Sequence, residues 1–432
     1  MFRVNYKIVL ALIASIYLLV SININFGKNK WQDVLESDAW GYYAYLPAVF
    51  IYHDLEFSFY EKVMNEGYFE PRLAYDYRVK IENHTSNKYF CGTALAISPF
   101  FAIAHFISAI TNHPTDGYNR TYILMVNMAA IFYTVLGLFF LYRLLLFYVK
   151  NVSYALITIL AFAFGTQLFY YSINEPGMSH VYSFCFINLF LWSSKSWIEF
   201  RKNFYLYIAF AALAMVFLIR PINMLIIFFI PFLSGSILQF KADAISYFSN
   251  KKLLIGSIIC FLVIAAIQPL IYYIQTGHWW IDSYPGENFN FLQPHITQSL
   301  FSFRKGLFIY TPLVFLAQLG MTHLYRTNKF NLVSYSLFFF LITYIISSWW
   351  IWYYGGGFSL RPFIEYFGIF AILLAILLEN SSNKKLLIIG IILIVLLCQI
   401  QTYQYRYFII HWSDMNFNSY LNTYKALFNL QY

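Results

Sequence analysis

Residues 89–110 read YFCGTALAISPFFAIAHFISAI, and the side of every later loop depends on whether this stretch crosses a bilayer. Its length suffices, since a spanning helix needs roughly 17–25 predominantly apolar residues. Pro99 in the middle removes a backbone donor and argues for a break. The positive-inside rule decides. If the stretch does not cross, one face collects Arg3, Lys7, Arg143, Lys150, Lys195, Arg201, Lys202, Lys241, Lys251, Lys252, Arg326, Lys329, Lys384 and Lys385. The short loops of the opposite face then hold Arg220, Arg304, Lys305 and Arg361. If it crosses, the basic excess falls outside while the N-terminus stays inside, against the rule. The stretch therefore reads as re-entrant or interfacial.

The rest of the chain sets the class. It has 432 residues, 60% hydrophobic and 11% charged, and its apolar runs recur at membrane-spanning length. These runs lack the alternation of barrel strands, so the expectation is an all-α polytopic membrane protein. About 11 spans are predicted: residues 7–23, 121–142, 153–171, 178–194, 203–219, 222–239, 253–275, 306–324, 331–350, 363–379 and 385–402. Arg3 and Lys7 precede the first apolar run and no small-residue cleavage site follows, so that run reads as an uncleaved span. The predicted organisation is a single domain: a first outer loop over 24–120 with interfacial helices, a bundle over 121–402, and an outer tail over 403–432.

Net charge +9 does not indicate nucleic acid, because the basic residues are scattered between spans. Cys91, Cys185, Cys260 and Cys398 show no ligand spacing. On this topology Glu199, Asp243 and Glu379 are the only acids of the 19 on the inner face. Candidate chemistry therefore faces outward.

Five outer groupings stand out. ESDAWGYYAYLPAVFIYHDL, residues 36–55, places Asp38 after the first span among Trp40, Tyr42, Tyr43 and Tyr45, rings at home at the headgroup level. A carboxylate there suits a general base or an ordinary solvated loop acid. FGTQLFYYSINEPGMSH, residues 164–180, sets Glu175 and His180 in a polar turn, suited either to substrate contact or to a simple Pro-Gly break. Arg220 in LIRPINM ends a span before Pro221, either as a phosphate clamp or as a snorkelling cation. The loop 277–305 carries Trp279, Trp280, Asp282, Tyr284, Glu287, Arg304 and Lys305, groups that hold sugars and phosphates or form an aromatic belt. WWIWYYGGGFSLRPFIEY, residues 349–366, puts three glycines before Arg361 and Glu365, an anion nest or a flexible turn.

Taken together, SDAWGYYAYLPAVF, KYFCGTALAISPFFAIAHF, YYSINEPGMSH and the pair SYPGENF with SLFSFRKGLFIYTP resemble the glycosyltransferase-C superfamily. Its members, protein O-mannosyltransferases and lipid A aminoarabinose transferases among them, take a sugar from a polyprenyl phosphate. The resemblance covers nearly the whole chain and points to a bacterial branch. It implies a bundle of that type in the bacterial inner membrane, with the N-terminus cytoplasmic and the active face outside. It also implies that Asp38 matches the catalytic acid of the first outer loop and that 89–110 matches the interfacial helices after it. One departure is visible: Ala39 and Trp40 follow Asp38 where mannosyltransferase-like members carry a second acid.

The expected enzyme transfers a sugar from a polyprenyl-phosphate donor to a glycan, lipid or protein acceptor hydroxyl, surrounded by membrane lipids and without nucleic acid. Asp38 is the base; Arg220, Arg304, Lys305 and Arg361 hold the phosphate; Tyr42, Tyr43, Glu175, His180, Asp282, Tyr284 and Glu287 contact substrate. The sequence fixes no cofactor and leaves a divalent metal open. A polyprenyl-linked glycan flippase or transporter, or a non-catalytic envelope subunit, would share the architecture. The scarcity of ionisable residues deep in the spans speaks against transport.

Overall fold

The structure is a computed structural model and describes residues 5–66 and 75–428. The described residues are mostly helical, with one antiparallel ribbon among them that pairs Arg78–Ile81 with His84–Asn87. Six helices are long and apolar enough to cross a membrane, or eight if two bent pairs each count as one. The expected number is larger because several of the predicted stretches are short or interrupted. The run 153–171 forms Val152–Phe164 and then breaks at Gly165, where an added Cβ would strike the Ala161 carbonyl. The run 306–324 is cut into Leu307–Tyr310, Pro312–Gln318 and Met321–Thr327.

The first helix, Tyr6–Asn25, is capped by the Asn5 side chain accepting from the Lys7 amide. It runs antiparallel to Arg120–Leu145. Tyr6 stacks on Tyr142 at one end, with centroids 4.9 Å apart, and Asn25 donates to Asn127 at 2.7 Å towards the other. Arg120 also donates to the Phe26 carbonyl. The chain therefore leaves the first helix and enters Arg120–Leu145 at the same end of the bundle.

Between them lies Gly92–Ile110, a continuous helix through Pro99 that by length alone would cross. Its contacts place both of its ends on the side that holds Asp38. Gly92 packs on the backbone of Leu218 and Ile219 beside Arg220, so closely that a Cβ there has no room. After Ile110, the Gly117 carbonyl accepts from Tyr43 of the Ala39–Pro47 helix at 2.5 Å.

The Ala39–Pro47 helix departs from the headgroup-level expectation, because all nine of its residues are buried. The reason is the ribbon above it. Asn87 donates to the Gly41 carbonyl at 2.8 Å, and Tyr45 donates to the Tyr89 carbonyl at 2.7 Å. These bonds pack the segment after the first helix into a cap and deliver Lys88 and Tyr89 to the start of the helix.

Candidate active site

Asp38 occupies the position before the Ala39–Pro47 helix, yet its side chain makes no capping bond. One oxygen accepts from the Tyr89 hydroxyl at 2.7 Å, and the other from the Arg361 guanidinium at 2.8 Å. Burial on its own would raise the carboxyl pKa. Arg361 outweighs it, helped by the Tyr89 bond and by nearby Lys88, and the net shift is below the usual carboxylate range. Asp38 is therefore an anion at neutral pH.

Arg361 follows the glycine run. Gly355 and Gly357 have φ of +63° and +144°, conformations that favour glycine. At Gly357 and Phe358 the amides are turned away from the anion nest that the composition suggested. The Gly357 and Phe358 amides donate to the Tyr405 and Tyr171 hydroxyls at 2.8 and 2.9 Å, and the Gly357 carbonyl accepts from Lys305. The backbone at Gly357 and Phe358, beneath Arg361, is thereby pinned.

A second node lies behind this one. The Glu365 carboxylate is fully buried and accepts from Arg220 at 2.8 Å, from His180 Nδ1 at 2.9 Å and from Asn223. Tyr366 donates to Asn223 at 3.0 Å and fixes the amide. A buried carboxylate needs this degree of satisfaction to persist. Arg220 sits in extended backbone where Asn203–Ile219 stops at Pro221, and keeps about a fifth of its side chain exposed towards the cavity.

Asp38, Arg220 and Arg361 line one cavity of about 760 Å³. Lys88, Tyr89, Tyr284 and Glu287 complete its polar wall. Lys88 pairs with Glu287 at 2.5 Å and lies 5.1 Å from the centre of the Tyr284 ring. An apolar wall adjoins it: Ile222 and Leu225, just past Arg220, with Ile342, Ile345 and Ile346 from the Lys329–Ser347 helix. Charged groups beside such a wall match an amphiphile with an anionic head. Among the described residues no three His, Cys, Asp or Glu side chains come together as a metal set, and both Asp38 oxygens are occupied by Tyr89 and Arg361.

No protein-family model matches the chain, and no curated protein matches it. Three solved structures from Archaeoglobus fulgidus are similar. The archaeal oligosaccharyltransferase AglB, in complex with an inhibitory peptide and a dolichol-phosphate, is 13% identical with a TM-score of 0.48, over 92% of this chain and 55% of that one. The oligosaccharyltransferase complex with Zn and sulfate is 14% identical with a TM-score of 0.45, over 91% and 52%. Its apo form is 14% identical with a TM-score of 0.42, over 97% and 54%. The chain spans about half the length of the structures it matches.

Of the residues singled out by sequence, Asp38, Tyr42, Arg220, Asp282, Tyr284, Glu287 and Arg361 line the cavity. Five others lie outside that lining. Tyr43 is buried against Gly117. His180 holds Glu365 and is almost fully buried, so it supports Arg220 from outside the cavity lining. Arg304 stacks 3.6 Å from the centre of the Tyr353 ring. Lys305 is buried under the glycine run, where burial and Arg361 push its amine down to about 7. Glu175 sits in the turn behind Arg361, and burial with Glu36 pushes its carboxyl up to about 7. Sequence reasoning missed Lys88, Tyr89 and Asn223. The one signal for the first two was their position at the head of KYFCGTALAISPFF.

Proposed function

We propose that the chain is an integral membrane glycosyltransferase that moves a sugar from a polyprenyl-phosphate donor to an acceptor hydroxyl on the outer face of a bacterial inner membrane. One observation carries the reading: a carboxylate, Asp38, and two guanidiniums, Arg220 and Arg361, line one cavity with an apolar wall. The apolar wall suits the first isoprene units of the lipid, and the guanidiniums suit its phosphate.

The chemistry is a single displacement with inversion. Asp38 takes the proton of the acceptor hydroxyl as its oxygen bonds to the anomeric carbon. The bond from that carbon to the phosphate oxygen breaks, and its electron pair leaves with the lipid phosphate. The phosphate charge goes from one negative to two, and Arg220 and Arg361 stabilise the increase. Tyr42, Tyr284, Asp282 and the Lys88–Glu287 pair are the sugar and acceptor contacts in this reading.

The test is genetic and chemical. The gene is deleted in its host and restored as wild type or as Asp38→Asn at matched membrane abundance, and envelope glycans and glycolipids are compared by mass spectrometry. Wild type should restore a mass step of one sugar, and Asp38→Asn should lower that product by about 100-fold, in the range of a lost general base. Equal restoration by both removes Asp38 from catalysis and favours the transporter or the subunit.

A further inference from the structure

We infer that Arg361 changes partners during the reaction, leaving Asp38 for the donor phosphate, so that the base is released only once donor is bound. This rests on the glycosyltransferase reading above.

The two arginines of the cavity are held differently. Arg220 cannot leave Glu365 without stranding a fully buried carboxylate that His180 and Asn223 only partly satisfy. The Arg361–Asp38 pair faces the cavity on both sides, with side chains 13% and 20% exposed. If Arg361 turns away, Asp38 keeps the Tyr89 hydroxyl and the field of Lys88. The motion is confined to the side chain, because Tyr171, Tyr405 and Lys305 hold the backbone of Gly357 and Phe358.

Charge flow gives the exchange its purpose. Asp38 carries one negative charge before the reaction and none after it, while the phosphate gains one as the electron pair of the broken bond arrives. A single guanidinium reaching both follows the charge from base to leaving group. Before donor arrives, the ion pair keeps Asp38 a weak base; afterwards Asp38 is more basic and ready for the acceptor proton. The charged and titratable groups around Asp38 are Arg361, Lys88 and Tyr89, with Tyr42 and Tyr284 nearby. Arg361 is the one that a phosphate ligand would draw away.

The experiment measures binding of a polyprenyl methyl phosphate, a phosphodiester that carries one negative charge like the proposed donor and has no second ionisation, to purified full-length protein in lipid nanodiscs by titration calorimetry, in two buffers of different ionisation heat. Wild type should take up protons on binding near the low-pH end of its stable range, as Asp38 loses its cation. Asp38→Asn should bind about tenfold more tightly, since the phosphate no longer competes for Arg361, and should show no proton uptake. Arg361→Ala should bind more weakly than wild type. The inference is overturned if wild type takes up no protons, or if a folded Asp38→Asn binds no tighter than wild type; Arg220→Ala should weaken binding in either case, because it removes the fixed cation of the same phosphate site. If wild type shows no saturable binding at all, the glycosyltransferase reading fails first and takes this inference with it. The proton uptake needs no variant, so a folding defect in Asp38→Asn leaves a decisive measurement.

Discussion

Arg220 and Glu365 lie 2.8 Å apart, and only the arginine has a face towards the cavity. The carboxylate therefore serves the arginine by holding it in place. Glu365→Ala should destabilise the protein by about 3–5 kcal/mol, because Arg220 and Asn223 lose their shared acceptor in a dry interior. Replacing Arg220 and Glu365 together should cost less than the sum of the two single changes. Thermal unfolding in detergent across the four proteins of the cycle measures both.

Lys88 and Glu287 join the first outer loop to the loop 277–305 across the cavity wall. Lys88→Ala leaves a partly buried Glu287 without its cation, and Glu287→Gln leaves the reverse. In the proposed reaction each single change should raise KM by about tenfold with a smaller effect on kcat, as expected of substrate contacts uninvolved in bond breaking. Exchanging the two charges should recover part of the loss. Steady-state kinetics with the donor and acceptor identified by mass spectrometry would check this.

Glu175 gives a pH dependence of stability. Its folded pKa of about 7 lies above the ordinary carboxyl value of 4.5. The unfolded chain therefore releases this proton between pH 4.5 and 7 while the folded protein retains it. The contribution of Glu175 is fully present below pH 4.5 and is lost as pH rises towards 7. Glu175→Gln should flatten the decline in Tm over that interval. A decline of equal slope in the variant would exclude Glu175 as its source.

Lys305 donates to the Gly357 carbonyl in the loop under Arg361 and lies outside the cavity lining. Lys305→Met should remove about 1 kcal/mol of stability with the Gly357 bond and lower turnover several-fold through a loosened Arg361. Arg304→Ala, which removes a stack on Tyr353, should leave turnover close to wild type. If both variants lose donor affinity equally, these two cations contact the phosphate after all.

The legible part of the site is the part set by local sequence. Asp38, Arg220 and Arg361 were visible because each stands at a helix boundary, the last two beside Pro221 and Pro362, and charge at such a boundary is a local signal. The direction in which neighbouring cations point was not visible. Arg304 and Lys305 are adjacent in sequence to each other, yet tertiary partners at 353 and 357 turn both aside. The glycine run read as a candidate anion site from composition alone, because Tyr171 and Tyr405, whose hydroxyls take the Gly357 and Phe358 amides, are remote in sequence. The same reason hid Lys88 and Tyr89, whose place depends on a ribbon folding over the Ala39–Pro47 helix. In the fold, the helical class followed from apolar run length, whereas the count of unbroken helices depended on packing at Gly165 and Pro312.

Gly92 has a further consequence. With no side chain, it lets the helix that follows Tyr89 rest directly on the backbone of Leu218 and Ile219, one step before Arg220. The site is thus built from two halves, one carrying the base and one carrying a fixed cation, and a single atom-wide seam registers them. A methyl group at that seam would prise the halves apart while leaving every reactive side chain chemically intact. The spacing between base and cation is set by a residue that takes no part in the chemistry.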